Sequence, residues 1–481
     1  MNYRGVAFLL GRLLLVLAVT LLVPAGVDYW FGGENLWVFL APALLASACG
    51  LGLTFAYRQD DGFSFGRREA FLLVSSAWMT ATVVGALPFV VLEGPTFIID
   101  AIFESASGFT TTGASVFTDV EALPESVLIW RSLTQWLGGM GIIVLAIAIL
   151  PKLAIGGMEL LGAEAPGPIQ QKLTPRIAQT AKMLWGIYVL LTTAEASILL
   201  ALGLSPVDAV AHAFASMATG GFSTRNASVA GFDSGAVEWV VTLFMILAGA
   251  NFALHYHWIR GRFSHLARDA EFRLYLKVIG VVTLIVLIDL LWAQATDFVE
   301  GIRLALFQTV SVITTTGFAT ANYDEWPHLS RMVLWLSMFV GGCAGSTGGS
   351  VKVVRLIIVV KKIIADLRQT IQPHAVLPVR LGNKAIPTDV VTSVTSFFVL
   401  FVLLFAVGGL CLTAMGVSPE TAFSASAACL GNIGPGFDQV GPVMNYAGLP
   451  AVGKLLLALL MLIGRLELYT MLVVLFLRKG L

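Results

Sequence analysis

Four short segments rich in threonine and glycine hold the residues best suited to chemistry in this sequence. They read Phe109-Thr110-Thr111-Thr112-Gly113-Ala114-Ser115, then Ala218-Thr219-Gly220-Gly221-Phe222-Ser223-Thr224, then Thr314-Thr315-Thr316-Gly317-Phe318-Ala319-Thr320. The fourth and most divergent is Leu430-Gly431-Asn432-Ile433-Gly434-Pro435-Gly436. Gly113, Gly221, Gly317 and Gly434 align, with intervals of roughly 100 residues, too long a period for a solenoid. A dehydrated cation needs several oxygens to replace its water, and backbone carbonyls along an extended strand supply them. Glycine adopts the backbone angles of such a strand without strain, and threonine adds a hydroxyl acceptor. The expected filter ligands are Thr110, Thr111, Thr112 and Gly113; Thr219, Gly220 and Gly221; Thr315, Thr316 and Gly317; Asn432, Ile433 and Gly434. A single copy would read as an ordinary loop between helices. Four copies at the same place in a repeated unit favour a filter.

The surrounding elements are dictated by hydropathy. Of 481 residues, 57% are hydrophobic and 12% charged, about half the charged fraction of a soluble globular chain. The apolar residues form long blocks that do not alternate, so the spans are helices and not barrel strands. Ten spans are expected near 6–27, 36–57, 70–92, 127–151, 180–204, 236–258, 275–295, 331–364, 389–415 and 450–478. Four shorter apolar pieces near 98–109, 207–219, 301–314 and 419–430 are too short to cross and read as re-entrant helices. Each precedes a Thr/Gly segment, toward which it directs the negative end of its dipole. The expected architecture is an all-α polytopic membrane protein of four helix–pore helix–helix repeats in pseudo-fourfold arrangement. Two leading helices occupy 1–69, and the repeats occupy 70–176, 177–274, 275–384 (with a broken second helix) and 385–481.

Charge sorts the loops. Arg58, Arg67, Arg68, Lys152, Lys172, Arg262, Arg268, Lys361, Lys362, Arg478 and Lys479 lie on one side; Glu93, Asp100, Glu104, Asp119, Glu121, Asp324 and Glu325 lie on the other. Basic loops stay in the cytoplasm, which places both termini there and the short pieces on the outside. Acidic residues at an outer mouth would concentrate cations, although simple solvation accounts for most of them. The net charge of zero argues for no nucleic-acid partner. Cys49, Cys343, Cys411 and Cys429 read as small core residues, because none is in a C-x-x-C spacing. The N-terminal run resembles a secretory leader that could be cleaved near Ala25. Its length, and the second apolar block behind it, favour a retained helix.

The run from Gly341 to Ser350 falls inside an apolar span, and glycine at this density breaks a helix. Close helix packing explains one or two glycines. The cluster points instead to an intramembrane loop able to block the path: Gly341, Gly342, Gly345, Ser346, Thr347, Gly348 and Gly349. Arg465 lies mid-span in the last helix and must face water or a partner. Glu467, two residues on, is off its face, so Arg465 is expected toward the pore and Glu467 toward another helix. Lys352 and Arg355 read as flanking charges, with Lys352 near the gate. His212 and Gln308 lie on short pore helices within reach of their filters, and with Asn251, His255 and His257 they read as satisfied buried polar groups.

Several stretches together resemble the Trk/Ktr/HKT superfamily of potassium transporters, most closely its bacterial TrkH branch. They are T-T-T-G-A-S, Q-W-L-G-G-M-G-I-I-V-L from Gln135 to Leu145, H-A-F-A-S-M-A-T-G-G-F-S-T, S-V-I-T-T-T-G-F-A-T, G-G-C-A-G-S-T-G-G-S-V-K, L-G-N-I-G-P-G and G-R-L-E-L-Y-T. They occur in the family's order from about residue 100 to the C-terminus, and the leading helices look like that branch's extra pair. The resemblance implies potassium as the transported ion at the filter residues named above, with a homodimer in the bacterial inner membrane. It also implies a cytoplasmic nucleotide-binding regulator of the TrkA type, with the nucleotide on that partner only. It makes Arg465 a pore-lining arginine beside the gating loop. The Gly431-Asn432 pair departs from the family pattern, in which a polar residue is common at Gly431.

Other functions make different demands. A membrane-embedded enzyme needs convergent nucleophile, base or carboxylates. The spans hold no G-x-S-x-G, H-E-x-x-H or paired aspartates, and Ser346 has no evident base. A sodium-permeable member of the same family is the nearer alternative; by resemblance, serine at position 113 would mark it. Channel-like flux and proton- or sodium-coupled flux both fit this arrangement.

Overall fold

A computed structural model describes residues 2–58, 66–148, 173–261, 269–375, 377–382 and 384–476. The segments holding Lys152, Lys172, Arg262, Arg268, Arg478 and Lys479 lie outside these residues. Two leading helices, Tyr3–Trp30 and Leu36–Ala56, pack side by side. They come close at two glycines: a Cβ on Gly11 would stand 2.9 Å from the carbonyl oxygen of Gly50, and one on Gly50 2.8 Å from that of Gly11. Small residues allow this approach where the surrounding lipid offers no hydrophobic drive.

Four repeats follow. Each has an outer helix: Arg67–Glu93, Leu173–Ala201, Ala270–Trp292 and Thr388–Ala414. Each then has a short pore helix: Ile98–Phe109, Pro206–Ala218, Phe298–Ile313 and Pro419–Leu430. These are the four short apolar pieces of the sequence. Three are started by side-chain caps. Ser205, Asp297 and Ser418 accept from the backbone N–H groups of Asp208, Glu300 and Thr421, and prolines 206 and 419 open two of the helices.

The inner helices depart from ten unbroken spans. That of repeat 1 runs Glu125–Ala148 without a break. In repeat 3, His328–Ser337 and Val353–Ile371 flank the glycine-rich loop, as its composition requires. The expected single spans 236–258 and 450–478 are corrected. The first is two helices, Gly235–Ala248 and Phe252–Ile259, bent by 104°. The second stops at Arg465 and resumes at Tyr469, with Glu467 and Leu468 in the left-handed region at φ 62° and 51°. Among the described residues, six helices are long and apolar enough to cross a membrane, or seven with that bent pair.

The cysteines are also sorted by the fold. Cys343 and Cys429 are buried, Cys411 is partly buried and Cys49 is exposed on its helix, so only two are core residues.

The outer acidic residues act mainly as staples. Asp119 and Glu121 of repeat 1 hold Asn226 of repeat 2, which donates to Asp119 Oδ1 at 2.8 Å and, from its backbone, to Glu121 Oε1 at 3.0 Å. Asp324 lies against Gly441, where burial lifts its carboxyl to about 6 despite the nearby Arg331 guanidinium. Because this exceeds the ordinary 3.8, its folding contribution is full below about pH 4 and is lost as pH rises through about 6. Asp324→Asn is expected to flatten the pH dependence of melting across that window and to raise the neutral-pH melting temperature by about 2 °C. Circular-dichroism melts in detergent would check it; an unchanged slope counts against the assignment.

Candidate functional site

All four pore helices end in the same way. The residue after the last turn is left-handed: Thr111 at φ 53°, Thr219 at 53°, Thr315 at 59° and Asn432 at 54°. The next amide reaches back five residues, Thr112 N to Ser107 O at 2.8 Å, Gly220 N to Ala215 O at 2.8 Å, Thr316 N to Ser311 O at 2.9 Å and Ile433 N to Ala428 O at 2.8 Å. This is the Schellman pattern, whose left-handed position usually holds glycine or asparagine. A β-branched residue there is strained, at a cost of order 1–3 kcal/mol. Three threonines accept it, which marks a site held by its surroundings. Thr315 shows a return on that strain: its hydroxyl accepts the backbone N–H of Gly349 at 2.6 Å.

Two residues further on come the aligned glycines, at φ 84°, 77°, 83° and 102° for Gly113, Gly221, Gly317 and Gly434. Their surroundings close a ring. A Cβ on Gly113 would stand 2.1 Å from Gly220 O, one on Gly221 2.0 Å from Thr316 O, and one on Gly317 2.0 Å from Ile433 O. One on Gly434 would stand 2.6 Å from Thr112 O. Each glycine thus backs onto the carbonyl preceding the next repeat's glycine, in the order one, two, three, four and back to one. The four aligned glycines and the residues that precede them therefore meet in one ring.

Behind the strands stand polar side chains from the pore helices. His212 bonds Asp208 O at 2.8 Å and Ser223 Oγ at 3.0 Å. Gln308 donates to Thr320 Oγ1 at 3.3 Å, although its Oε1 is buried without a partner. Away from the pore helices, His255 on the Phe252–Ile259 helix is buried, with Nε2 2.8 Å from Leu247 O. Glu104, grouped above with the outer acidic set, is fully buried and accepts Arg131 Nε at 2.8 Å and Val116 N at 2.9 Å. Arg131 in turn donates to Ser115 Oγ and to Ser223 O, tying the flanks of filters 1 and 2. Sequence reading missed this pair. A charge on the apolar face of a helix too short to span was the available signal. Arg131 and Arg225 both line the outer vestibule.

Below the ring, on the side of the pore-helix C-termini, lies the glycine-rich loop. Thr347 donates to Met217 O at 3.1 Å and Ala248 O at 3.3 Å. A Cβ on Gly349 would stand 2.3 Å from Gly431 O, and one on Gly348 3.0 Å from Thr314 O. The loop therefore lies against the ends of three pore helices. It also fills the break in repeat 2: Cys343 N donates to Gly249 O at 2.8 Å and Phe252 N to Gly345 O at 3.2 Å.

Charged groups hold the loop. Arg465 Nη1 donates to Thr347 O at 2.6 Å, with the side chain 3% exposed. Glu467 faces another helix as expected, pairing with Arg355, whose guanidinium also lies 4.0 Å from the Phe397 ring centroid. Lys352 and Arg355 are not merely flanking charges: both are buried, and Lys352 donates to Gly348 O. Glu271 was not singled out in the sequence. Its Oε1 accepts Ala344 N at 2.7 Å and Val354 N at 3.1 Å, pinning the loop to the helix that follows it. Nothing local distinguishes it from other acidic residues in a first helical turn. The arrangement is a coaxial carbonyl ring with a tethered loop beneath it, suited to passing a bare cation under control.

Comparison with known proteins agrees. The family model described as TrkH, cation transport protein, matches residues 37–479. The Trk system potassium uptake protein TrkH of Escherichia coli (strain K12) is 41% identical over 479 residues, 98% of each chain. The protein of that name from Halomonas elongata is 38% identical over 477 residues, again 98% of each. The crystal structure of the potassium transporter TrkH from Vibrio parahaemolyticus has a TM-score of 0.91 and 37% identity, covering 100% of this chain and 99% of that one. By its fold and its full-length similarity, the chain belongs to the TrkH family of cation transport proteins.

Proposed function

We propose that this protein takes up potassium across the bacterial inner membrane through its four-strand filter, and that the Gly341–Ser350 loop gates the path. The observation that carries this reading is the ring in which each filter glycine backs onto the next strand's carbonyl. The relatives named as potassium uptake proteins support the ion. The family is one of cation transport and not of catalysis. Glycine at all four positions, with no serine at 113, favours potassium over a sodium-permeable variant. The basic loops support cytoplasmic termini. The protein works as a homodimer in the lipid bilayer with a nucleotide-binding regulator of the TrkA type on the cytoplasmic side, and the nucleotide binds that partner. Rubidium-86 uptake into proteoliposomes tests the reading, with competing potassium or sodium and an imposed pH gradient. Potassium should compete at far lower concentration than sodium; equal competition overturns it. A pH-gradient effect on uptake separates coupled transport from a channel.

The gate makes its own prediction. Glu271→Ala removes the acceptor shared by Ala344 N and Val354 N and leaves both without this partner. Losing two charge-assisted bonds loosens the loop by several kcal/mol at most, so basal rubidium uptake without regulator is expected to rise about tenfold. Unchanged uptake would mean that the loop is held elsewhere.

A further inference from the structure

The four filter strands are not braced alike. In strand 1, Thr110 Oγ1 and Thr112 Oγ1 lie 2.7 Å apart; in strand 3, Thr314 Oγ1 and Thr316 Oγ1 are also 2.7 Å apart. Thr110 and Thr314 donate their only hydroxyl protons to Ala106 O at 2.6 Å and Val310 O at 2.7 Å. The partner threonine is therefore the donor within each pair. Each such strand ties itself to its own pore helix. Strands 2 and 4 cannot do this, because the corresponding positions are Ala218 with Gly220, and Gly431 with Ile433.

Both deficient strands are held from outside. Gln135, fully buried on the inner helix of repeat 1, donates from Nε2 to Gly220 O at 2.6 Å and accepts Phe222 N on Oε1 at 3.1 Å. One amide thus bridges Gly221 on both sides. Tyr446, 2% exposed, donates its hydroxyl to Gly434 O at 2.7 Å. Its backbone N–H donates to Ser115 O at 2.8 Å, across the seam where repeat 4 meets repeat 1. Its ring packs on Phe103 with centroids 5.2 Å apart, which fixes where the hydroxyl points.

We propose that Gln135 and Tyr446 are filter-positioning residues that set cation selectivity by bracing the two strands that lack a threonine pair. A donor on Gly220 O or Gly434 O limits how far that carbonyl can swing. A smaller cation needs its ligands to close in further than potassium does, so a braced carbonyl follows sodium poorly. Releasing the brace lets it follow. This inference rests on the reading of these strands as the filter.

The test is rubidium-86 uptake in proteoliposomes under sodium or potassium competition, on full-length Gln135→Leu and Tyr446→Phe. In either variant the sodium concentration that halves uptake, relative to that of potassium, is expected to fall about fivefold, the size of one net hydrogen bond. Tyr323→Phe removes a hydroxyl bonded to Gly436 O, beyond the filter glycine, and is expected to leave the ratio unchanged. Tyr446→Phe loses one oxygen and keeps the ring, so it remains informative if Gln135→Leu fails to fold. Gly113→Ser in the same assay checks the underlying reading. If it shifts the ratio while Tyr446→Phe and well-folded Gln135→Leu do not, the bracing role fails and the filter stands. If Gly113→Ser shifts nothing, the filter reading itself fails. Reduced uptake in Tyr446→Phe with an unchanged ratio shows a merely structural role and also overturns the proposal.

Discussion

Gly113→Ser is expected to lower the preference for potassium over sodium about tenfold, the equivalent of roughly 1.4 kcal/mol between the two ions. The backbone at this residue is left-handed at φ 84°, where an L side chain is strained. Its Cβ would stand 2.1 Å from Gly220 O, a neighbour that is backbone and can yield only by moving the second filter strand. The clash therefore does not stay in repeat 1. It displaces a carbonyl that the ring needs, and Gln135 holds that same carbonyl in place. The same argument applies to Gly221 and Gly317, whose Cβ atoms would each stand 2.0 Å from the next strand's carbonyl. Sodium competition of rubidium uptake checks it. A wild-type ratio in inserted, folded Gly113→Ser would show that the carbonyl ring does not select the ion.

Arg465→Ala is expected to raise basal uptake, in the absence of any cytoplasmic partner, by tenfold or more. Two effects act together. The guanidinium is buried below the ring, where a positive charge opposes a passing cation more strongly than it would in water. It also holds the loop directly through Thr347 O. No carboxylate neutralises it among the described ion pairs: Glu467, its neighbour in sequence, pairs with Arg355. Two of its donors, Nε and Nη2, are buried without a protein partner. Arg465→Lys separates the effects, since it keeps the charge and loses the planar fork. Uptake near wild type in the lysine variant assigns the barrier to charge, and uptake near the alanine variant assigns it to the tether. Abolished uptake in properly inserted Arg465→Ala would make the residue structural and remove it from the gate.

Length and the recurrence of one unit were enough to read the four repeats and their short helices from the amino-acid order. Within each unit the signals are local. An apolar run too short to cross, a cap such as Ser205-Pro206 and a recurring T-T-T-G each declare themselves within a few residues. The glycine cluster at 341–350 declared a break for the same reason, because no continuous helix tolerates it. The breaks at Gly249–Asn251 and after Arg465 gave no such signal, since hydropathy continues across them. The first exists because the loop of repeat 3 supplies partners for the freed backbone, Cys343 N to Gly249 O and Gly345 O to Phe252 N. A membrane interior allows irregular backbone only on those terms. Likewise, sequence placed Glu104 among solvated acids and Arg355 among flanking charges. Their partners Arg131 and Glu467 stand 27 and 112 residues away along the chain. The order of the ring and the brace from Gln135 belong to the tertiary structure for one reason. Each joins groups from different repeats, and no local pattern encodes which carbonyl another repeat's glycine or side chain will face.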